Sequence, residues 1–171
     1  EKNSKVKYAI VDHDGLKNFC CKVPNVKGLT FKTNENSFVA GYMAAGLSKT
    51  GKVATYGGMP FPTVTIFMDG FAKGVEFYNE IKGKSVKVLG WDPNNPGSGS
   101  MVGDFANTTK ALSMSQAFEL QGADVIFPVA GGLGGATAQN AMSSKKSVVI
   151  WVDSDGVIAA PQYKSVLITS V

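Results

Sequence analysis

Two hydrophobic periods alternate along the chain. Short runs such as "KVATYGG" (52–58), "DVIFPVA" (124–130) and "SVVIWVD" (147–153) are apolar at successive positions, as in strands buried on both faces. Longer segments with apolar residues three or four positions apart separate these runs, which is the spacing of a helix with one buried face. The alternation predicts an α/β fold, with a parallel sheet covered by helices on both faces.

The same pattern gives the remaining elements. Further strands are predicted over 6–12, 26–31 and 85–92, and helices over 36–49, 64–81, 107–122 and 136–145. Asn36 or Ser37 is the expected N-cap of the first helix, and the third helix is expected to begin near Asn107. We expect the strands that end at Gly57, Asp92, Ala130 and Asp153 to share one sheet.

Four glycines follow a buried strand in "ADVIFPVAGGLGGATAQNAM" (123–142). Such bare backbone lets a ligand approach closely, and the helix start beyond it offers unpaired N–H groups. The same glycines also suit a tight turn between strand and helix. Their spacing differs from a dinucleotide fingerprint, although Asp153, 22 residues beyond Gly131, keeps that alternative open.

Polar and glycine residues collect where the predicted strands end. In an open α/β sheet, ligands bind outside the carboxyl ends of the strands. This edge is therefore the predicted binding site. Its residues are Asp12, Gly57, Gly58, Trp91, Asp92, Gly131, Gly132, Asp153 and Asp155.

The chemistry of this edge suits a sugar attached to an aromatic ring. The Asp153 carboxylate could accept two hydrogen bonds from the vicinal hydroxyls of a ribose. Phe105, in the long irregular segment "WDPNNPGSGSMVGDF" (91–105), could offer a flat face to an aromatic base. Structural roles compete with both assignments, because Asp153 could cap the next helical turn and Phe105 could plug the core.

Composition narrows the function classes. The 171 residues, 44% of them hydrophobic, suffice for one core or for one large lobe with part of another. No apolar run is long enough to span a membrane, and the first residues lack the pattern of a signal segment. The net charge of +4 comes from scattered lysines without any arginine, which favours solubility over nucleic-acid recognition.

No enzymatic, cofactor or metal motif emerges. The adjacent Cys20 and Cys21 are too close in sequence for an unstrained disulfide and lack metal-ligand spacing. His13 lies between two carboxylates, and we interpret it as an exposed turn residue, with a metal site as the weaker alternative. Nucleophile-elbow, P-loop and zinc spacings are absent, so we predict a binding protein with no cofactor, no metal and no catalytic residues.

Several motifs in order resemble one family. "FKTNENSFVAGYMAAGLSKTGKVATYGG", "FMDGFAKGVEFYN", "ADVIFPVAGGLGGA" and "IWVDSD" resemble the basic membrane protein family of substrate-binding lipoproteins, over almost the whole chain from about Tyr8. The resemblance implies a type I periplasmic-binding-protein fold with two α/β lobes. It also implies a receptor of an ABC importer that binds a nucleoside, with purine nucleosides favoured, and passes it to permease subunits at the outer face of the cell membrane.

The resemblance also implies roles for individual residues. Phe105 would stack on the base, Gly131 would contact the ligand, and Asp153, in a motif that includes Asp155, would hold ribose hydroxyls. Asp12 would contribute a polar contact from the other lobe. The alternative function is an effector-binding domain of a transcriptional regulator or sensor with the same fold.

The ends of the chain differ from the family pattern. Family members have a lipid-anchored cysteine, about a third of a chain before the first strand and a further ribose-binding lysine beyond "LITSV". We therefore expect residues 1–31 to be part of the N-terminal lobe, 32–155 to form the C-terminal lobe and 156–171 to be a crossover or return strand. We also expect exposed apolar surface on "VKYAIVD" and "SVLITSV", and self-association of this fragment.

Overall fold

The computed structural model describes residues 5–12 and 25–171. His13, Cys20 and Cys21 lie outside the described residues. The chain divides into two compact units, residues 1–32 and 33–171, and each is considered by itself.

The first unit contains two parallel strands. β1 (Tyr8–Val11) pairs with β2 (Val26–Leu29), and the register sets Tyr8 opposite Val26. The Asp12 amide extends the pairing by donating to the Leu29 carbonyl oxygen at 2.9 Å. The predicted exposure of apolar residues is confirmed in β1, where Tyr8, Ile10 and Val11 are all exposed.

The second unit is built on one five-stranded parallel sheet. Its strand order is β4-β3-β5-β6-β7, so the strands ending near Gly57, Asp92, Ala130 and Asp153 share one sheet as predicted. Helices connect consecutive strands, as the hydrophobic periods indicated. In chain order the elements are α1 (Thr33–Leu47), β3 (Lys52–Gly57), α2 (Pro62–Lys82), β4 (Lys87–Leu89), α3 (Thr108–Leu120), β5 (Val125–Val129), α4 (Gly134–Ser144), β6 (Val148–Trp151), α5 (Gly156–Ala159) and β7 (Leu167–Ser170).

Both faces of this sheet are buried. Val53 and Phe127 point to the face that α1 and α2 cover, while Ala54 and Ile126 point to the face that α3 covers. Alternate residues of a strand point to opposite faces, so each apolar run fills two cores at once. This explains why these strand sequences are apolar throughout.

The start of α1 differs from the prediction. The helix begins at Thr33, so neither Asn36 nor Ser37 is its N-cap. Ser37 is fully buried inside the helix, where it and Asn34 lie against Gly70 of α2. Packing against α2 thus makes the helix begin about one turn before Asn36 and Ser37. The N-cap of α3 is confirmed, because Asn107 accepts from the Lys110 amide at 2.9 Å.

Glycines set the close approach of α1 and α2. A Cβ atom at Gly74 would overlap the backbone of Phe38 and Tyr42, and one at Gly41 would overlap the backbone of Phe71. The two helices can lie this close only because side chains are missing at the contact.

A buried chain of hydroxyls joins the sheet to the helices on its other face. The Tyr56 hydroxyl lies 2.8 Å from Thr137 Oγ1, which lies 2.9 Å from Ser115 Oγ. Ser115 in turn donates to the Ala111 carbonyl oxygen at 2.9 Å. Burial raises the pKa of Tyr56, outweighing the opposite effect of its hydroxyl partners. The chain satisfies three polar groups inside an apolar core and ties α3 and α4 to β3.

The last strand corrects one expectation. Apolar exposure was predicted for "SVLITSV", but Val166 is buried beside Trp151 and Ala160, and Leu167 and Ile168 are half-buried. Pairing with β6 places β7 at the edge of the sheet, where its side chains reach the cores on both faces. The assignment of residues 156–171 as a crossover segment remains a prediction.

The helix contact predicts that Gly74→Ala destabilises the protein. The added methyl overlaps α1 backbone, which cannot rotate away, so we expect a loss of about 1 to 3 kcal/mol in the free energy of unfolding. Gly46→Ala is the matched control, because its Cβ would lie 3.4 Å from the Tyr78 ring. There alanine should stabilise the helix by about 0.5 to 1 kcal/mol. Urea unfolding of the two variants measures both values, and equal losses would contradict the contact.

The hydroxyl chain predicts a pH-dependent stability. Tyr56→Phe should lower the free energy of unfolding by about 1 kcal/mol, because the hydrogen bond to Thr137 is lost. Since the folded-state pKa of Tyr56 is raised, wild type keeps its full advantage below pH 10 and loses it as the pH rises towards the folded-state value. The loss approaches about 1.4 kcal/mol per pH unit.

The difference in stability between wild type and Tyr56→Phe reports on the Tyr56 hydroxyl alone, because the other tyrosines are the same in both proteins. Tyr78→Phe, on the half-buried tyrosine that packs edge-on against Tyr42, is the control for removing a hydroxyl elsewhere. A stability difference between wild type and Tyr56→Phe that stays constant from neutral pH to well above pH 10 would refute the buried role of the hydroxyl.

Candidate ligand-binding site at the carboxyl edge of the sheet

The predicted site residues of the second unit lie along one edge of the sheet. β3, β5 and β6 are neighbours, and all end at this edge because they are parallel. Strand spacing of about 4.8 Å puts the ends of β3 and β6 about 10 Å apart, comparable with a base joined to a sugar. The edge is thus wide enough for the predicted ligand to lie across three strand ends.

The long segment after β4 folds back onto the end of β3. The Gly57 amide donates to the Ser100 carbonyl oxygen at 3.0 Å, and the Gly57 carbonyl accepts from the Val102 amide at 2.9 Å. The Gly103 amide then donates to the Gly58 carbonyl oxygen at 2.7 Å. These bonds continue the sheet by a short bridge and bring Phe105 to the edge.

Asp104 and Asn107 fix the backbone around Phe105. The Asp104 carboxylate accepts from the amides of Ala106 and Asn107 at 2.8 and 2.7 Å. These two backbone hydrogen bonds lower the pKa of Asp104, and Lys110 adds a smaller effect in the same direction. Lys110 also donates to the Val102 carbonyl oxygen at 2.5 Å. Phe105 is therefore held on a tight turn directly before α3.

The Phe105 ring rests on glycine backbone. A Cβ atom at Gly58 would overlap the ring, and one at Gly131 would lie 4.0 Å from its Cδ1 atom. Phe61 stacks beside it, with ring centroids 6.3 Å apart and an interplanar angle of 28°. Even so, Phe105 is 43% exposed and Phe61 is 47% exposed. The ring is positioned by its neighbours and accessible, so it is not a plug of the core.

The glycine run makes the turn from β5 to α4. Gly131 has a φ of 54°, a left-handed conformation that suits glycine, and a short 3-10 helix at Gly131–Leu133 leads directly into α4. Gly132 is exposed, and a Cβ atom there would meet nothing within 4 Å. The glycines therefore form a tight turn, and the backbone of Gly132 is accessible at the edge of the sheet.

Asp153 follows β6 by two residues and has an unusual backbone conformation. Its φ is 68°, which is uncommon for a residue with a side chain, and its amide donates to the Val171 carbonyl oxygen at 2.9 Å. The residue is exposed and lines a groove of about 560 Å³ together with Asp155, Ser170 and Val171. Strained residues at a strand end are common at binding sites.

Asp155 has the capping role that was considered for Asp153. Its carboxylate accepts from the Val157 amide at 2.9 Å and caps α5. The capping role thus belongs to the second aspartate of the motif, and the ligand role of Asp153 stays a prediction.

Two other predicted edge residues have different surroundings. Trp91 is buried, and its indole N–H donates to Asp69 Oδ1 at 2.9 Å, so it stabilises the core beside α2. Asp12 belongs to the first unit, where it is exposed and has a φ of 54°. The structure therefore brings Phe105 and Gly131 together, with Asp153 and Asp155 one strand further along.

Sequence reasoning missed Phe61. It precedes the first turn of α2 in "GGMPFPT", and its flanking prolines and the glycines of the strand end were a usable signal for an aromatic residue held at the edge. Phe61 lies just outside the helix that the periodicity predicts over 64–81.

Two kinds of feature are absent from the part of the chain that the structure describes. Among residues 5–12 and 25–171, no three His, Cys, Asp or Glu side chains are grouped closely enough to hold a metal ion. Within the same residues, no helix combines the length and apolarity needed to cross a lipid bilayer.

Two bacterial proteins illustrate what this chain is similar to. Basic membrane protein A1 of Borrelia garinii is 32% identical over 162 residues, covering 93% of this chain and 43% of that protein. The ABC transporter nucleoside-binding protein BmpA of Lactococcus lactis is 30% identical over 138 residues, covering 77% and 36%. The chain thus spans less than half the length of these relatives.

Solved structures show the same fold. The crystal structure of an ABC transporter solute-binding protein from Aeropyrum pernix matches with a TM-score of 0.74 at 24% identity, covering 95% of this chain and 44% of that one. This likeness supports the periplasmic-binding-protein architecture. The model of the family described as "Bmp: ABC transporter substrate-binding protein PnrA-like" matches residues 1–171, so the chain belongs to this family of substrate-binding proteins.

Proposed function

We propose that this chain is part of the solute-binding receptor of an ABC importer and binds a nucleoside, with purine nucleosides preferred. The observation that carries the proposal is the exposed Phe105 ring, held over two strand ends and one strand away from Asp153. The name of the Lactococcus lactis relative, a nucleoside-binding protein, agrees with this ligand class.

The aromatic side of the edge suits a base. Bases of every kind stack on aromatic side chains, and one such contact is worth about 1 to 3 kcal/mol. Phe61 packs beside Phe105, so the ring loses little freedom when a base stacks on it. Larger purine rings cover more of this surface than pyrimidines, which supports the purine preference.

The acidic side of the edge suits the sugar. A carboxylate accepts hydrogen bonds only, so Asp153 is matched to the two hydroxyl donors of a ribose. Gly131 and Gly132 follow β5, the strand between β3 and β6, and side chains at these positions would narrow the space for the ligand. Asp155 would orient the turn that carries Asp153, since it caps α5.

The remainder of the receptor follows from the family. A second lobe would close over the nucleoside, with Asp12 as its polar contact, and permease subunits would accept the ligand. The receptor would act at the outer face of the cell membrane through a lipid anchor. Binding would involve no catalytic residue, metal or cofactor.

Phe105→Ala should weaken nucleoside binding by about 1 to 3 kcal/mol, because the base loses its stacking surface. Calorimetric titration of the full-length protein with a panel of purine and pyrimidine nucleosides measures the change. Phe77→Ala is the matched control, since Phe77 is 41% exposed and packs against Phe38 and Tyr42 on the helices instead. Equal affinity of wild type and Phe105→Ala for every nucleoside would reject the stacking role.

Asp153→Gly should remove the preference for ribose. Glycine adopts the positive φ of this position without strain, so the change removes the carboxylate and preserves the turn. We expect a loss of about 1 to 3 kcal/mol for ribonucleosides and little loss for analogues that lack the sugar hydroxyls. Glu80→Gln, an exposed carboxylate near the end of α2, is the control for removing a carboxylate away from the ligand edge. Unchanged discrimination between ribonucleosides and their deoxy analogues would contradict the assignment.

A further inference from the structure

Charge is strongly segregated between the two edges of the sheet. Residues 33–171 carry ten lysines and ten carboxylates, so this unit has no net formal charge. Seven of the lysines but only three of the carboxylates lie where the helices end and the strands begin, which gives that amino edge a charge of +4. The rest of the unit, including the ligand edge, carries −4. We call the seven basic residues the lysine face: Lys49, Lys52, Lys82, Lys84, Lys87, Lys145 and Lys146.

Two of the three carboxylates of this edge accept hydrogen bonds from neighbouring connections. The Asp124 carboxylate accepts from Ser48 Oγ at 2.6 Å and from the amides of Lys49 and Thr50 at 2.6 and 3.0 Å. The Glu119 carboxylate accepts from Ser144 and Ser147 at 2.8 and 2.6 Å. These two carboxylates thus have structural partners. The third, Glu80, is exposed, as are all the lysines of the face except the half-buried Lys52.

Large apolar side chains protrude among these lysines. Leu47, Ile81 and Leu120, one in the last turn of each of α1, α2 and α3, are all exposed, and Leu120 reaches 82%. Scattered apolar residues on a surface are ordinary, but here each ends a different helix beside the lysines. Protruding apolar side chains surrounded by lysines are typical of surfaces that lie on a membrane.

Helix stabilisation accounts for only part of the lysine face. Lysines near the end of a helix interact favourably with its dipole. Lys82 lies in the last turn of α2, Lys145 is the C-cap residue of α4, and Lys52 donates to the carbonyl oxygen of the α3 C-cap residue at 2.8 Å. The other four lysines of the face have no such role. Nucleic acid is also a poor match, because the chain has no arginine for bidentate phosphate contacts. A diffuse anionic surface needs only point charges, which lysine supplies.

We propose that the lysine face is a docking surface for an anionic lipid membrane. Lysines would lie at the headgroups, and Leu120 and Ile81 would enter the interface between headgroups and acyl chains. The membrane would then meet the amino edge of the sheet, which is opposite the edge that carries the candidate ligand site. This contact is peripheral and independent of the ligand identity proposed above.

Vesicle sedimentation of the full-length protein, purified without lipid modification, tests this surface. Wild type should bind vesicles containing about one third phosphatidylglycerol at about 0.05 M salt, and binding should fall steeply at about 0.5 M salt. Pure phosphatidylcholine vesicles should bind far more weakly. Free glycerol phosphate at millimolar concentration should not compete, because the attraction belongs to a charged surface and not to a single phosphate site.

Charge-matched variants locate the contact. Lys145→Glu with Lys146→Glu should weaken binding about 25-fold or more, at about fivefold per lysine removed. Lys73→Glu with Lys164→Glu changes the net charge equally away from the lysine face and should bind nearly as wild type. Leu120→Gln should weaken the binding that remains at high salt, whereas Ile158→Gln, at 78% exposure near the ligand edge, should not.

Circular dichroism and thermal unfolding confirm that each variant is folded before its binding is compared. Absence of binding to phosphatidylglycerol vesicles at low salt overturns the proposal. Equal losses in the two lysine pairs also overturn it, because binding would then follow net charge alone. Saturable competition by glycerol phosphate would also overturn the proposal, because the lysines would then form a discrete site for one anion.

Discussion

Burial of both faces of one parallel sheet is the constraint on which the rest of the second unit depends. Val53 and Phe127 fill the core on one side of the sheet, and Ala54 and Ile126 fill the core on the other. Parallel strands buried in this way must be joined by helices that return across the sheet. As a consequence, all strands end at one edge and all helices end at the opposite edge.

The two edges therefore acquire different chemistry. Strand ends carry glycine backbone, Asp153 and the Phe105 turn, which together form the candidate site proposed for a nucleoside. Helix ends carry lysines and protruding apolar side chains. The fold thus separates a binding surface from a basic surface by the full length of the strands, although the unit as a whole has no net charge.

Positions without side chains are as important as the side chains themselves. Gly74 lets α1 and α2 lie in contact, and Gly58 lets the Phe105 ring pack directly on the backbone. In both cases a single methyl group would occupy space that backbone or ring now fills. The hydroxyl chain from Tyr56 to Ser115 has the complementary role, since it satisfies polar groups that the close packing has removed from water.

The sequence by itself determined the fold class, the parallel sheet and the edge at which most of the candidate ligand residues collect. Periodicity reports which faces of an element are buried, and the strands of "KVATYGG" and "SVVIWVD" left little ambiguity. Motif order in addition indicated the family. Local signals also gave the N-cap at Asn107, because that cap depends on contacts within three residues.

Only the tertiary structure decided the features that depend on contacts distant in sequence. Packing of Ser37 against Gly70 moved the start of α1 to Thr33, although local polarity favoured a later cap. Pairing of β7 with β6 buried Val166, which the sequence suggested would be exposed. The stacking of Phe61 on Phe105, and the choice of Asp155 instead of Asp153 as the helix cap, follow from backbone geometry that no local pattern encodes.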